Sequence, residues 1–167
     1  MKKWMMALLV LFLIVGLTGC DDLNDISCES STKVEVTVLP EAQVFGTGYD
    51  KTGQSFEGYY PNIQVRFNYS KTDGESFTLF GTTNGKGEAK PSGQVGYNLR
   101  KDQQITVTAT VMGLGEPTSK TEILTYERAK PYNADKGVTE KYTWKPYFDL
   151  RVPPLDPDSY PAPNPKE

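Results

Sequence analysis

Three stretches in which apolar and polar residues strictly alternate constrain the fold more than any other feature of this sequence. Their apolar positions are Val34, Val36 and Val38; Ile63, Val65, Phe67 and Tyr69; and Ile105, Val107, Ala109 and Val111. Successive side chains of a β-strand point to opposite faces, so a period of two is typical of strands with one buried and one solvated face. Antiparallel sheets are the usual setting for such strands. The sequence therefore predicts an all-β protein.

The rest of the chain supplies weaker strand candidates and frequent turn signals. The candidates cover residues 76–83, 93–99, 121–127 and 141–148, and the turn signals are Thr47-Gly48, Thr52-Gly53, Asp73-Gly74, Asn84-Gly85 and Gly113-Leu114-Gly115. No segment after the N-terminal leader shows a helical stripe longer than two turns. Many short strands separated by Gly-containing turns predict a two-sheet antiparallel β-sandwich over residues 33–150.

The N-terminus carries a short export signal. Lys2 and Lys3 precede an apolar segment, residues 4–17, that closes in Leu17-Thr18-Gly19-Cys20. The apolar segment is shorter than the roughly 20 residues that span a bilayer, and the small residues before Cys20 suit a signal peptidase. An ordinary secretory signal or a short uncleaved helix are the alternatives.

This segment resembles the lipobox of bacterial lipoproteins, which implies a signal peptide over residues 1–19 and a lipid-modified Cys20 as the new N-terminus. Acyl chains such as palmitate would then anchor the protein to the cell membrane, facing the periplasm or the cell exterior. Asp21 and Asp22 follow Cys20, a position that favours inner-membrane retention in some bacteria, and the choice of membrane stays open.

Residues 20–32 predict an acidic tether between the lipid and the folded domain. Cys28 lies in it and would be a lone thiol once Cys20 is lipidated, either unpaired or in an intermolecular disulfide. Loss of Lys2 and Lys3 with the leader lowers the formal net charge from −3 to −5. This mildly acidic balance argues against a nucleic-acid partner, because phosphate binding needs clustered Lys and Arg.

Part of the sandwich region resembles a known group of modules. The segments concerned are Val65-Arg66-Phe67-Asn68-Tyr69, Thr82-Thr83-Asn84-Gly85-Lys86-Gly87-Glu88-Ala89, Tyr97-Asn98-Leu99 and Ile105-Thr106-Val107-Thr108-Ala109-Thr110-Val111. Their rhythm is similar to that of exported Ig-like and prealbumin-like modules of bacteria and archaea. The resemblance implies an Ig-like sandwich. It implies no particular activity, since such modules serve as adhesins, spacers, carbohydrate binders and assembly parts.

Enzymatic function is disfavoured by composition. The chain contains no histidine, which removes the Ser-His-Asp and Cys-His arrangements and reduces the usual zinc ligand sets to carboxylates and one cysteine. Paired carboxylates can hydrolyse glycosides, but nothing in the sequence places two of them across a cleft. We therefore expect no catalytic residues, no metal and no cofactor.

Aromatic residues are the better lead toward function. Candidate ligand-binding side chains are Tyr59, Tyr60, Tyr142, Trp144 and Tyr147. Tyr142 and Trp144 would share one face of a strand, with Tyr147 on the other. Such rings stack on sugars or anchor protein interfaces, whereas the alternative is that Tyr142 and Trp144 pack into the core.

The C-terminal segment, residues 151–167, is rich in proline, with Pro153, Pro154, Pro157, Pro161, Pro163 and Pro165. It predicts an extended or disordered tail outside the sheets, either a plain terminus or a docking peptide. The sequence as a whole predicts a membrane-anchored envelope lipoprotein that binds an envelope protein partner or gives structural support. The alternative is a carbohydrate- or cell-wall-binding module that uses its surface aromatics.

Overall fold

The alternating stretches form long strands of two packed layers. The computed structural model describes residues 33–130 and 140–166. The strands in chain order are β1 (Val34–Val38), β2 (Glu41–Tyr49), β3 (Ser55–Tyr59), β4 (Gln64–Lys71), β5 (Ser76–Thr82), β6 (Glu88–Ala89), β7 (Val95–Leu99), β8 (Gln104–Val111), β9 (Ser119–Thr125), β10 (Glu140–Trp144), β11 (Tyr147–Val152) and β12 (Asn164–Pro165). One short helix, α1 (Tyr126–Ala129), follows β9. The signal peptide, Cys20, the tether and Cys28 lie outside the described residues.

The first layer is built on two long stretches of chain that run side by side: β1 followed by β2, and β10 followed by β11. Its sheets have the orders β10-β1-β7 and β11-β2-β3-β12, and β6 also pairs with β2. β10 lies parallel to β1, and β11 lies parallel to β2. A proline interrupts each long strand, and two hydrogen bonds bridge the gap: Leu39 N–H donates to Trp144 O at 2.8 Å, and Glu41 N–H donates to Pro146 O at 2.9 Å. The prolines therefore bend the pair without ending it.

The second layer is a regular antiparallel sheet with the order β5-β4-β8-β9. Phe67 lies opposite Leu79 on one side and opposite Ala109 on the other. The hairpin turn between β4 and β5 contains Gly74, whose φ of +94° is a conformation that glycine adopts without steric cost. The alternation of β4 and β8 thus turns one continuous apolar surface toward the first layer.

The core lies between the two layers. Strand β11 of the first layer contacts β8 and β9 of the second. The largest fully buried side chains of the core include Tyr60, Tyr69, Phe67, Phe148, Leu99, Ile105, Leu124 and Leu150. The predicted all-β sandwich is confirmed. The parallel pairing of the first strands with the last ones is a departure from the purely antiparallel sandwich that the sequence predicts.

Strand β2 is the main element that the sequence pattern missed. Its inward positions are Ala42, Val44, Gly46 and Gly48, and the sequence predicts a turn at Thr47-Gly48. A Cβ at Gly46 would lie 2.9 Å from Val152 O, and one at Gly48 would lie 2.7 Å from the Pro163 ring. These positions carry no side chain because the partners from other segments already fill the space. An inward face with apolar side chains only at Ala42 and Val44 leaves an alternation too short to be recognised as a strand.

The C-terminal segment is ordered and joins a sheet, so the prediction of a tail outside the sheets is wrong. Asn164 and Pro165 pair with Tyr59 and Gly58 at the edge of β3. Pro163 is buried, and Leu155 and Tyr160 pack against the core. Proline is tolerated here because β12 is an edge strand, where one side of the backbone needs no partner.

Candidate binding surface

The structure divides the predicted aromatic residues between the core and the surface. Trp144 is 5% exposed and Tyr60 is 1% exposed, while Tyr142 is half-buried and packs against the core. Trp144 and Pro146 point inward, on the face that meets the second layer. Alternation shows that two residues share a face but not which face is buried. The interpretation of Tyr60, Tyr142 and Trp144 as a surface platform is therefore wrong.

Tyr147 and Tyr59 lie on the outer face of the first layer. Tyr147 is 52% exposed, the largest fraction for any large hydrophobic side chain among the described residues. Its hydroxyl donates to Gln43 Oε1 at 3.0 Å, and Gln43 Nε2 donates to Lys86 O at 3.2 Å. These two bonds hold the phenol against the sheet, so the ring presents a fixed edge and face to the solvent.

A lysine from the C-terminal segment covers the neighbouring rings. Lys166 Nζ lies 4.6 Å from the centroid of the Phe45 ring and 5.2 Å from that of Tyr59. These are cation–π distances. The backbone N–H of Lys166 donates to Glu57 O at 3.1 Å. Nothing in the local sequence of Phe45 or Lys166 signals this contact, because it joins residues far apart in the chain.

Glu57 ties the two cations of this surface together. Its carboxylate accepts from Arg151 at 2.9 Å and lies 3.6 Å from Lys166 Nζ. We call the surface formed by Gln43, Phe45, Glu57, Tyr59, Tyr147, Arg151 and Lys166 the Tyr147 face. Arg151, Phe45 and Tyr59 lie opposite one another on adjacent strands, and their side chains therefore leave the sheet on the same side.

The surroundings of Tyr147 favour the neutral form of its phenol. Partial burial and then the negative charge of Asp149 and Glu88 raise the pKa of Tyr147 above its ordinary value. The neutral phenol is the form that donates the hydrogen bond to Gln43. The Glu57–Arg151 ion pair lies on the same face of the sheet.

An open depression borders the Tyr147 face. It has a volume of about 640 Å³ and is lined by Tyr59, Gly85, Lys86, Asn164 and Pro165. Asn164 Nδ2 donates to Gly85 O at 3.1 Å, which fixes the β12 strand to the turn between β5 and β6. The lining groups are amide, ammonium and phenol, with no carboxylate pair across the depression.

The described residues hold no group of three or more His, Cys, Asp or Glu side chains arranged to bind a metal ion. Within residues 33–130 and 140–166, no helix has the length and apolar character needed to cross a membrane. The fold and this surface define an all-β sandwich with an exposed, mixed-charge aromatic face. No protein-family model matches the chain. A comparison with curated proteins also finds no match.

Proposed function

We propose that this protein is a lipid-anchored envelope protein that binds a protein partner through the Tyr147 face and has no enzymatic activity. The observation that carries the proposal is the 52% exposure of Tyr147 on a sheet face that also holds Arg151. Tyr and Arg are among the residue types enriched at the energetic centres of protein interfaces. Cys20 supplies the anchor in this proposal, through the lipobox resemblance.

A protein partner fits the Tyr147 face better than a sugar does. Sugar platforms need aromatic rings whose faces are open for stacking. Lys166 already lies over Phe45 and Tyr59, and Trp144 is buried. Tyr147 is thus the one well-exposed ring of this face, which also holds acidic groups near the phenol and the Glu57–Arg151 ion pair. Such a surface suits the polar rim and aromatic anchor of a protein interface.

The anchor is tested by lipid labelling of the full chain in a bacterial host. Wild type should incorporate labelled palmitate and fractionate with membranes, whereas Cys20→Ser should not incorporate the label. Cys28→Ser is the matched control and should behave as wild type. Equal labelling of wild type and Cys20→Ser would refute the anchor and leave the binding surface to be tested separately.

The binding surface is tested by site-specific photo-crosslinking in cells. A photoreactive phenylalanine analogue replaces Tyr147 in one variant and Phe80 in a control; Phe80 is 43% exposed on the second layer. We expect a discrete crosslinked protein band at position 147 that disappears with Arg151→Glu. Crosslinking of equal pattern at both positions, or none at position 147, would refute the proposal.

A carbohydrate ligand is the second candidate, favoured by the depression beside Tyr59. Its Asn164 amide and Lys86 ammonium offer the polar contacts that a sugar hydroxyl needs. Titration of the full chain with cell-wall polysaccharides would distinguish the two functions. Saturable binding that is lost in Asn164→Ala but kept in Tyr147→Ala favours the carbohydrate, and no binding favours the protein partner.

A further inference from the structure

Strand β9 leaves one edge of the second layer open. It is the last strand in the order β5-β4-β8-β9, and its residues 119–123 are all exposed. Among the described residues, β9 pairs with β8 alone. An edge of this length presents a row of backbone N–H and C=O groups to any strand that approaches it.

The hydrogen bonds at the two ends of β9 show which backbone groups face outward. Val111 N–H donates to Thr118 O at 2.9 Å, and Tyr126 N–H donates to Gln103 O at 3.2 Å. Hydrogen-bonded pairs alternate along an antiparallel ladder. Even-numbered residues of β9 therefore bond to β8, and Ser119, Thr121, Ile123 and Thr125 turn their backbone groups toward the open edge.

The charges on β9 complement a second copy of β9 in one antiparallel register. Lys120 and Glu122 are exposed and face the inner side of the sheet, and neither has an ion pair within the described part of the chain. A two-fold axis at Thr121 places Lys120 opposite the partner's Glu122, and Glu122 opposite the partner's Lys120. The two charges thus form two cross-strand pairs of opposite sign.

The neighbouring registers are unfavourable. A ladder forms only when residues whose backbone groups face outward pair with each other. Each allowed register therefore places the two-fold axis at a residue of β9, and the next registers have the axis one residue earlier or later. An axis at Lys120 would oppose two lysines, and one at Glu122 would oppose two glutamates. Like charges directly opposite each other destabilise a pair of strands. The register centred on Thr121 is therefore selected by charge.

The same register matches the hydrogen-bonding pattern and the outer face. Thr121 would pair with itself and Ser119 with the partner's Ile123, and each of these pairs exchanges two backbone hydrogen bonds. The Lys–Glu pairs fall on the alternate positions, where Cα atoms and side chains are closer. On the outer face, Thr108 Oγ1 lies 2.8 Å from Thr121 Oγ1, so the row of threonines would continue into the second copy.

We propose that β9 pairs with β9 of a second copy of this chain, in antiparallel register centred on Thr121, to join the two second layers into one continuous sheet. The interface is isologous, because each copy contributes the same strand. It does not use the Tyr147 face, which lies on the first layer, so the proposal stands or falls independently of the proposed function.

Cysteine crosslinking of the full chain in bacterial membranes tests the register. The background carries Cys28→Ser. In the proposed register the two copies of residue 121 have Cα atoms about 5.5 Å apart, within disulfide reach. The Cα atoms of the two copies of residue 119 lie about 14 Å apart, because they are offset by four residues along the strands. With an added oxidant, Thr121→Cys should give a disulfide-linked dimer. The matched control Ser119→Cys should give no more dimer than the background.

Charge reversal tests the proposed ion pairs between the two copies. Recovery of the dimer on co-expression also shows that each variant folds. In the Thr121→Cys background, Lys120→Glu or Glu122→Lys alone opposes like charges and should lower the dimer fraction about tenfold. Co-expression of these two variants restores both opposite-charge pairs and should return the dimer to the parental level. Lys101→Glu and Asp158→Lys are the controls, because they change the net charge by the same amounts as Lys120→Glu and Glu122→Lys. Neither control should change the dimer fraction.

Several outcomes would overturn the proposal. These are equal crosslinking at positions 119 and 121, a dimer fraction that charge reversal does not lower, and reversed variants that do not recover on co-expression. A crosslink from position 121 to a protein of another mass, with no dimer, would assign this edge to a different partner. Failure of these tests has no bearing on crosslinking at Tyr147.

Discussion

Replacement of Thr83 by valine tests the hydrogen bonds that fasten the crossing between the two layers. Thr83 is 2% exposed and follows β5. Its Oγ1 donates to Tyr60 O at 2.6 Å and accepts from the Ile63 N–H at 2.8 Å. Tyr60 directly follows β3 of the first layer, and Ile63 directly precedes β4 of the second layer. One hydroxyl therefore holds both ends of the connection between β3 and β4.

The expected cost follows from the groups that lose their partner. Valine keeps the branched shape of threonine but can neither donate nor accept. The Tyr60 carbonyl is buried and the Ile63 N–H is half-buried, and an unsatisfied buried polar group costs about 1–3 kcal/mol. Since Ile63 retains partial access to water, we expect Thr83→Val to lower the free energy of unfolding by about 2–4 kcal/mol. For a domain of this size, the Tm should fall by roughly 10 °C.

Thermal and denaturant unfolding followed by far-UV circular dichroism measure this cost. Thr108→Val is the matched control, because its hydroxyl bonds to Thr121 Oγ1 on the solvated face, where water replaces the lost bond. We expect the control to remain within about 0.5 kcal/mol of wild type. Equal stability of Thr83→Val and Thr108→Val would refute the reasoning that the Thr83 hydroxyl fastens the connection.

Three further predictions concern the tail, the buried tyrosines and the tryptophan. A Cβ at Gly48 would lie 2.7 Å from the Pro163 ring, so Gly48→Ala should release the C-terminal segment and speed its proteolysis several-fold; an unchanged cleavage rate would contradict its docking. Burial raises the pKa of Tyr97 to about 12 and that of Tyr69 further, so both stay protonated in the folded state above the ordinary tyrosine pKa of about 10. Stability should therefore be lost as pH rises from about 10 toward 12. A variant with both Tyr69→Phe and Tyr97→Phe should lose less stability over this range. Equal pH dependence of the denaturant midpoints of wild type and this variant would argue against this origin. In a Trp4→Phe background, Trp144 should show blue-shifted emission that polysaccharides do not change, and a red-shifted, quenchable spectrum would contradict its burial.

Strand prediction from this sequence succeeded where one face of a strand is filled by its own side chains. Residues of β4 and β8 bury Val65, Phe67 and Val107 in strict alternation, so the period alone identifies them. It failed at β2, where the inward positions 46 and 48 are glycines. Val152 and Pro163 occupy the space that a side chain would need at these positions. Those partners lie more than a hundred positions away, and their approach is a property of the folded chain.

Prediction of the binding surface was limited in the same way. The sequence correctly places Tyr147 and Trp144 on opposite faces of one polypeptide stretch. It does not tell which face meets the second layer, and the core requires the face with Trp144. Lys166 reaches Phe45 only because β12 pairs with β3. A proline-rich composition predicts no strand, so this contact had no signal in the sequence.

The parallel pairing of the first strands with the last ones determines how the domain bears a mechanical load. Tension applied before Val34 and after Val152 pulls β1 and β2 against β10 and β11 along their common axis. In parallel strands loaded from opposite ends, the ladder is sheared, so its hydrogen bonds share the force together instead of opening one after another. Because the register continues across Pro40 and Pro146, both halves of the ladder resist at once, and forced unfolding depends on the barrier to sliding them apart.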